Sequence, residues 1–311
     1  MAAHSKALSA GLKARATREA KRHVRWGLWS AGLQACLVAL LTAQPARAPQ
    51  RIISLVPNVT EIVYALGAGN RVVAVSSYDT YPPEVQTLPK VGALIDPNVE
   101  RILSLKPDFV VVYGSQDDLK QQLAKAGIPS FSYRHAGLAG VTATIRELGG
   151  RLGEQTAAES LAGRIERGID DIRTRVAGRP RPRTLIVFGR ERLSLRGMYV
   201  SGGVGFLHDM LGAAGGENVF AEVKTESVQA STEQIIARRP DVIIETRATN
   251  SAYPTGERGA ELRVWNALGS IPAVRNQRVF FLFDDRIVIP GPRVVEGTLE
   301  IARALHPDAF K

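Results

Sequence analysis

The sequence predicts an α/β protein of two lobes, each a mostly parallel sheet flanked by helices, the two joined by a single long helix. Three observations predict it. One short phrase occurs twice in the same register, as Asn98-Val99-Glu100-Arg101-Ile102-Leu103-Ser104-Leu105-Lys106-Pro107-Asp108 and as Ser231-Thr232-Glu233-Gln234-Ile235-Ile236-Ala237-Arg238-Arg239-Pro240-Asp241. Apolar strand-like runs alternate with capped helical stretches on both sides of one central segment. Within that segment Leu161, Ile165, Ile169, Ile172 and Val176 recur at helical spacing, with Glu159, Arg164, Glu166, Asp170 and Arg173 on the other face.

Residues 1–48 stand apart from the rest. They hold Lys6, Lys13, Arg15, Arg18, Lys21, Arg22, Arg25 and Arg47 against Glu19, a net +7 of the chain's +10. A basic start, an apolar run over 28–43 and the small-x-small triplet Ala46-Arg47-Ala48 form the pattern of a signal peptide. The run is shorter than the ~20 residues that span a bilayer comfortably. Export is therefore expected, with an uncleaved anchor, or lipidation at Cys36 in Leu33-Gln34-Ala35-Cys36, as competing outcomes. No nucleic-acid partner is expected, because the basic residues belong to a leader followed by an apolar block. Cys36 is the only cysteine among 311 residues, so a mature chain cut near Ala48 has no disulfide and depends on its core.

The next elements follow in order. Arg51-Ile52-Ile53-Ser54-Leu55 reads as a strand, Asn58-Val59-Thr60-Glu61-Ile62-Val63-Tyr64-Ala65-Leu66 as a helix ended by Gly67, and Arg71-Val72-Val73-Ala74-Val75 as a second strand. In each copy of the repeated phrase a capping residue opens a short helix, the glutamate falls in its first turn, and a basic residue with Pro-Asp ends it before an apolar strand. Ile128-Pro129-Ser130-Phe131-Ser132-Tyr133 is a further strand. The long helix over 155–177 runs for about 30 Å at 1.5 Å per residue, and Gly178-Arg179-Pro180-Arg181-Pro182 breaks it. A coiled-coil dimer is the alternative for that helix, disfavoured by its short repeat. The second lobe runs from Thr184-Leu185-Ile186-Val187-Phe188 to Arg278-Val279-Phe280-Phe281-Leu282-Phe283 and a final helix over 294–305. The expected organisation is a signal peptide over 1–48, an N-terminal lobe over 49–140, a bridging helical segment over 141–180 and a C-terminal lobe over 181–311.

Open α/β sheets bind ligands at the carboxyl edges of their strands, which singles out particular loops. Ser76-Ser77-Tyr78-Asp79-Thr80-Tyr81-Pro82-Pro83 follows a strand directly, and its prolines hold Tyr78 and Tyr81 with little entropy left to lose. Tyr113 ends another strand and could stack on a flat guest or serve the core. Arg190, Arg192 and Arg196, then Arg247, then Asp284, Asp285 and Arg286 occupy comparable positions in the second lobe, where solvated loop residues are also common. A first-turn glutamate can simply complement a helix dipole. Two matched ones, Glu100 and Glu233, suggest docking to a two-fold basic partner, since charges at fixed spacing set register.

Enzyme signatures are missing. His4, His23, His135, His208 and His306 are dispersed without metal-ligand spacing, and no nucleophile elbow appears. The glycine-rich Ser201-Gly202-Gly203-Val204-Gly205 lacks the lysine of a phosphate-binding loop. No cofactor is expected, and any metal would arrive already chelated in the ligand.

The Ser-Leu-x-Pro-x-x-Thr-Glu opening at Ser54 to Glu61, the Ser76-Ser77-Tyr78 and Tyr81-Pro82-Pro83 loop, the phrase Gly215-Gly216-Glu217-Asn218 and the paired glutamates resemble a known class. It is that of the substrate-binding proteins of ABC importers for vitamin B12, haem and iron-siderophores, class III periplasmic binding proteins. The resemblance covers about 51–305. It implies a monomeric periplasmic receptor which delivers its ligand to an inner-membrane permease dimer through Glu100 and Glu233, and the single helical connection, whose bending would break its hydrogen bonds, predicts small lobe movement. It also implies a cleft formed in part by Tyr78, Tyr81, Tyr113 and Asp285. Leu94, Tyr113 and Ser227 stand where vitamin B12 binders place tryptophans, and Asp285 where they place an aspartate. Cobalamin leads as ligand, and haem or an anionic siderophore would suit the arginines. A secreted enzyme on the same scaffold is the competing class.

Overall fold

The computed structural model describes residues 47–247 and 258–311. The leader's apolar run and Cys36 lie outside the described residues. Residues 47–311 form one compact unit.

The N-terminal lobe holds β1 (Ile52–Ser54), β2 (Val72–Val75), β3 (Phe109–Tyr113) and β4 (Ser130–Tyr133), with helices α1 (Pro57–Ala65), α2 (Val99–Ser104) and α3 (Asp117–Lys125). Its sheet order is β2-β1-β3-β4, and every pairing is parallel. β1, β2 and β3 are buried on both faces, which is why they read as continuous apolar runs such as Phe109-Val110-Val111-Val112, whereas the edge strand β4 buries Phe131 and Tyr133 and exposes Ser132. Their carboxyl ends converge on one edge and carry Ser76, Tyr113 and the residues after Tyr133.

Two helices bridge the lobes. The predicted strut is α5 (Gln155–Val176), and the bridging helical segment expected over 141–180 also holds a second helix, α4 (Leu138–Leu152). Gly153 caps α4 at φ +75°, and the chain turns back so that Arg146 of α4 pairs with Glu159 and Glu166 of α5. Gly149 permits the close approach, since a Cβ there would collide with that of Ala158. Arg71 of the first lobe grips the start of α5 through Glu154 and the Leu152 carbonyl.

The C-terminal lobe holds β5 (Arg183–Gly189), β6 (Met198–Ser201), β7 (Glu217–Asn218), β8 (Ser227–Ala230), β9 (Val242–Arg247) and β10 (Val279–Phe283). Around them lie α6 (Phe206–Ala213), α7 (Thr232–Arg238), α8 (Arg258–Arg263), α9 (Pro272–Arg275), α10 (Asp285–Val288) and α11 (Val294–Leu305). The order is β10-β9-β5-β6-β8, with β7 beside β5. β5, β9 and β10 are parallel, and β6 pairs antiparallel with both neighbours, so this sheet is mixed. A single hydrophobic cluster reaches from Ile52 and Val59 through Ile145 and Ile169 to Ile301 and Leu305.

The repeated phrase is one structure built twice. Asn98 accepts a hydrogen bond from the Arg101 amide, and Ser231 forms a reciprocal capping box with Gln234. Lys106 and Arg239, equivalent in register, both end their helices in the left-handed region at φ +47°. Asp108 then accepts the Arg51 amide and Asp241 the Arg183 amide, fixing the entry of β1 and of β5.

Candidate ligand-binding cleft

Between the lobes lies a cavity of about 540 Å³, lined by His135 from the first lobe and by Phe188, Val204, Phe206, Glu226 and Arg247 from the second. A second cavity of about 260 Å³ adjoins it, sharing His135 and Val288, and is lined by Asn58, Tyr78 and Tyr113 facing Asp285 and Ile289. Together they make one cleft at the carboxyl edge of the first sheet, of the size and mixed polarity of small-molecule sites.

Tyr113, Tyr133 and His135 form an aromatic corner there. The rings of Tyr133 and His135 stack edge to face at 5.2 Å, Tyr113 lies 6.1 Å from His135, and the Tyr133 hydroxyl is 3.5 Å from His135 Nδ1. Burial pushes both phenols up to about 12, so they remain protonated donors at neutral pH. Burial also holds the His135 imidazole below its ordinary value, against an opposing pull from the Glu226 carboxylate. Sequence reasoning passed over His135 as one dispersed histidine. Its signal was its place two residues past the end of β4, the rule that selected Tyr113.

Arg247 enters the larger cavity from the end of β9. It is 8% exposed, with Nη2 donating to Glu245 Oε1 at 2.9 Å and Nη1 to the Phe188 carbonyl at 3.3 Å. Glu245 is fully buried and also receives Trp265 Nε1 and the Arg190 guanidinium. Burial raises its pKa, and the two arginines and the indole pull it back. Arg247 therefore presents a cation whose orientation is fixed from behind.

Arg190 requires a correction. Its side chain has no exposure and lies between Glu245 at 2.9 Å and Glu261 at 2.7 Å, with further bonds to the carbonyls of Glu191 and Ser194. A guanidinium so enclosed organises the lobe and does not reach the cleft. Tyr81 also falls outside the two cleft cavities. It lines a separate hollow beside Glu61, with the Arg293 guanidinium carbon 4.0 Å over its ring. Tyr78, Tyr113, Arg247 and Asp285 are the candidates that the cleft brings together. Asp285 sits in the first turn of α10, behind the capping Asp284, which accepts the Arg286 amide and pairs with its guanidinium.

The glycine-rich turn after β6 is scaffold. A Cβ on Gly202 or Gly203 would collide with the carbonyl oxygens of Thr225 or Ala221, and Asn218 Nδ2 donates to the Gly202 carbonyl at 2.8 Å. This packing holds the loop that carries Glu226 and Ser227 into the cleft. Among the described residues no group of three His, Cys, Asp or Glu side chains could hold a bare metal ion. Glu100 and Glu233 are both exposed, away from the cleft lining, and hydrogen bonds from Ser231 lower the Glu233 pKa.

The periplasmic binding protein family profile matches residues 52–285. A vitamin B12-binding protein of Yersinia pestis (strain Pestoides F) is 34% identical over 210 residues, covering 67% of this chain and 73% of that protein. An ABC transporter substrate-binding lipoprotein of Bacillus subtilis (strain 168), itself uncharacterized, is 32% identical over 268 residues, or 85% of this chain and 82% of that protein. In three dimensions the periplasmic vitamin B12-binding protein of Vibrio cholerae superposes with a TM-score of 0.71 at 26% identity, covering 85% of this chain and 99% of that one. The apo periplasmic haem-binding protein of Roseiflexus sp. RS-1 superposes with a TM-score of 0.69 at 28% identity, covering 84% and 99%. The chain belongs to the periplasmic binding protein family, in the class of ABC importer substrate-binding proteins for vitamin B12, haem and iron-siderophores.

Proposed function

We propose that this chain is exported through its basic and apolar leader, captures a cobalamin-like corrinoid between its lobes, and delivers it to an inner-membrane ABC permease. The observation that carries the corrinoid reading is the charge of the cleft. Among the described residues, Glu226 and Asp285 line it together with one guanidinium, Arg247. A corrin rim bears neutral amides, which donate to carboxylates and accept from a guanidinium, and its flat face suits Tyr113 and His135. The two propionates of haem would meet two like charges for one opposite charge there. Identity to the Yersinia pestis vitamin B12-binding protein supports the same reading.

Haem is the second reading, favoured by His135 and Tyr113 side by side at the cleft. An imidazole with a lowered pKa stays neutral, the form that ligates iron. Titration of the purified chain with cyanocobalamin, haemin and a ferric siderophore panel tests both. Saturable 1:1 binding of cyanocobalamin without product supports the proposal. Tight haemin binding with an altered Soret band and no cobalamin binding transfers it to haem, and turnover of any ligand would make the chain an enzyme.

Delivery follows from the repeated phrase. Glu100 and Glu233 dock on basic groups of the permease dimer, one on each half, and fix the orientation of the cleft above the translocation path.

A further inference from the structure

We infer that each docking glutamate belongs to a two-part contact, an acid with an apolar knob one helical turn further on, which each lobe presents once to the permease. The inference rests on the docking reading of Glu100 and Glu233. In α2 and α7 the core contact is made by Ile102 and Ile235, both 0% exposed. The next residues, Leu103 and Ile236, turn to the surface and are 36% and 41% exposed. They stand three positions after Glu100 and Glu233, the spacing that places two side chains on one helix face.

A lone exposed leucine needs no explanation. The same exposed aliphatic at the same register of two lobes, beside the same exposed acid, is not demanded by the fold, because Ile102 and Ile235 already fill the core. The surface therefore fits a partner that repeats a basic group flanked by an apolar socket. A two-fold permease dimer repeats one surface, and the duplicated phrase offers it two matching halves. Arginine suits the basic position, since its planar fork grips a carboxylate while its aliphatic stem lies along the leucine or isoleucine.

The test is affinity for nanodiscs carrying the ABC permease, measured for the parent and for three variants of unchanged thermal stability and ligand binding. Leu103→Asp with Ile236→Asp is expected to weaken association at least tenfold. Glu100→Lys with Glu233→Lys should do the same. Leu193→Asp, which alters an apolar residue of 47% exposure outside the repeat, should stay within twofold. If the aspartate pair perturbs folding, Leu103→Ser with Ile236→Ser serves in its place. Loss of binding in the lysine pair alone would overturn the apolar part and leave docking intact. Parent affinity in both pairs would remove the docking reading itself. Loss in the Leu193 variant would make the apolar effect nonspecific. Self-association of the parent, abolished in the aspartate pair, would assign the surface to a second copy and likewise overturn the inference.

Discussion

Arg293 grips Glu61 across the lobes, Nη2 to Oε1 at 2.5 Å and Nε to Oε2 at 2.8 Å, between residues 232 positions apart. The carboxylate keeps 3% of its side-chain exposure and the guanidinium 20%. Burial raises the Glu61 pKa and Arg293 draws it down. Asn58 Nδ2 donates to the Pro290 carbonyl, a second tie between the lobes, and the Leu138 amide at the start of α4 donates to Asp209 of α6, fastening the bridge to the second lobe.

Arg293→Ala strands the Glu61 carboxylate. The expected loss is about 2–3 kcal/mol, below the full range for buried pairs because the guanidinium is partly in water. Chemical denaturation measures it. A loss under about 1 kcal/mol would mean that the pair is a surface ornament.

Asp79 gives a pH signature. It is 3% exposed, and burial raises its pKa above the ordinary aspartate value despite hydrogen bonds from Thr60 and Ser76. Well below that ordinary value the carboxyl is protonated whether the chain is folded or unfolded, and burial of a charge exacts no penalty. As pH rises to and beyond the raised folded value, the penalty grows to its full size. Asp79→Asn should therefore stabilise the protein at pH 7, with the gain shrinking to nothing as pH falls through the usual aspartate range. Denaturation midpoints from pH 3 to 7 check this, and a gain independent of pH would contradict it.

The two arginines after strand ends should separate cleanly. Arg190→Met leaves Glu245 and Glu261 short of a buried partner and is expected to lower stability by on the order of 3 kcal/mol, with ligand affinity of the folded protein within threefold. Arg247→Ala removes a cleft donor, and its ligand dissociation constant should rise at least tenfold. Calorimetric titration beside thermal unfolding of both variants decides it, and a reversed pattern would place Arg190 in the cleft.

Much of this was legible because its causes are local. Asn98 and Ser231 cap their helices through residues three positions away, and doubly buried strands announce themselves as apolar runs. What was hidden depends on distant partners. Arg190 and Arg247 look alike after their strands, and Glu261, 71 positions beyond Arg190, helps to hold that guanidinium inward. Tyr81 was drawn away by Arg293 from the far end of the chain. The bridging segment reads as helical, but its division at Gly153 into α4 and α5 does not show in the residue pattern, because Gly140, Gly149 and Gly150 weaken the helical signal of α4 and its packing on α5 compensates.

The most direct measurement is calorimetric titration of cyanocobalamin into the parent, Tyr113→Ala and Asp285→Ala. The expected result is one site per chain with a submicromolar dissociation constant, roughly 8 kcal/mol or more of binding free energy, weakened at least tenfold in each variant. Binding that neither variant disturbs, or no saturable binding of cobalamin, haemin or any ferric siderophore, would contradict a ligand held between the lobes.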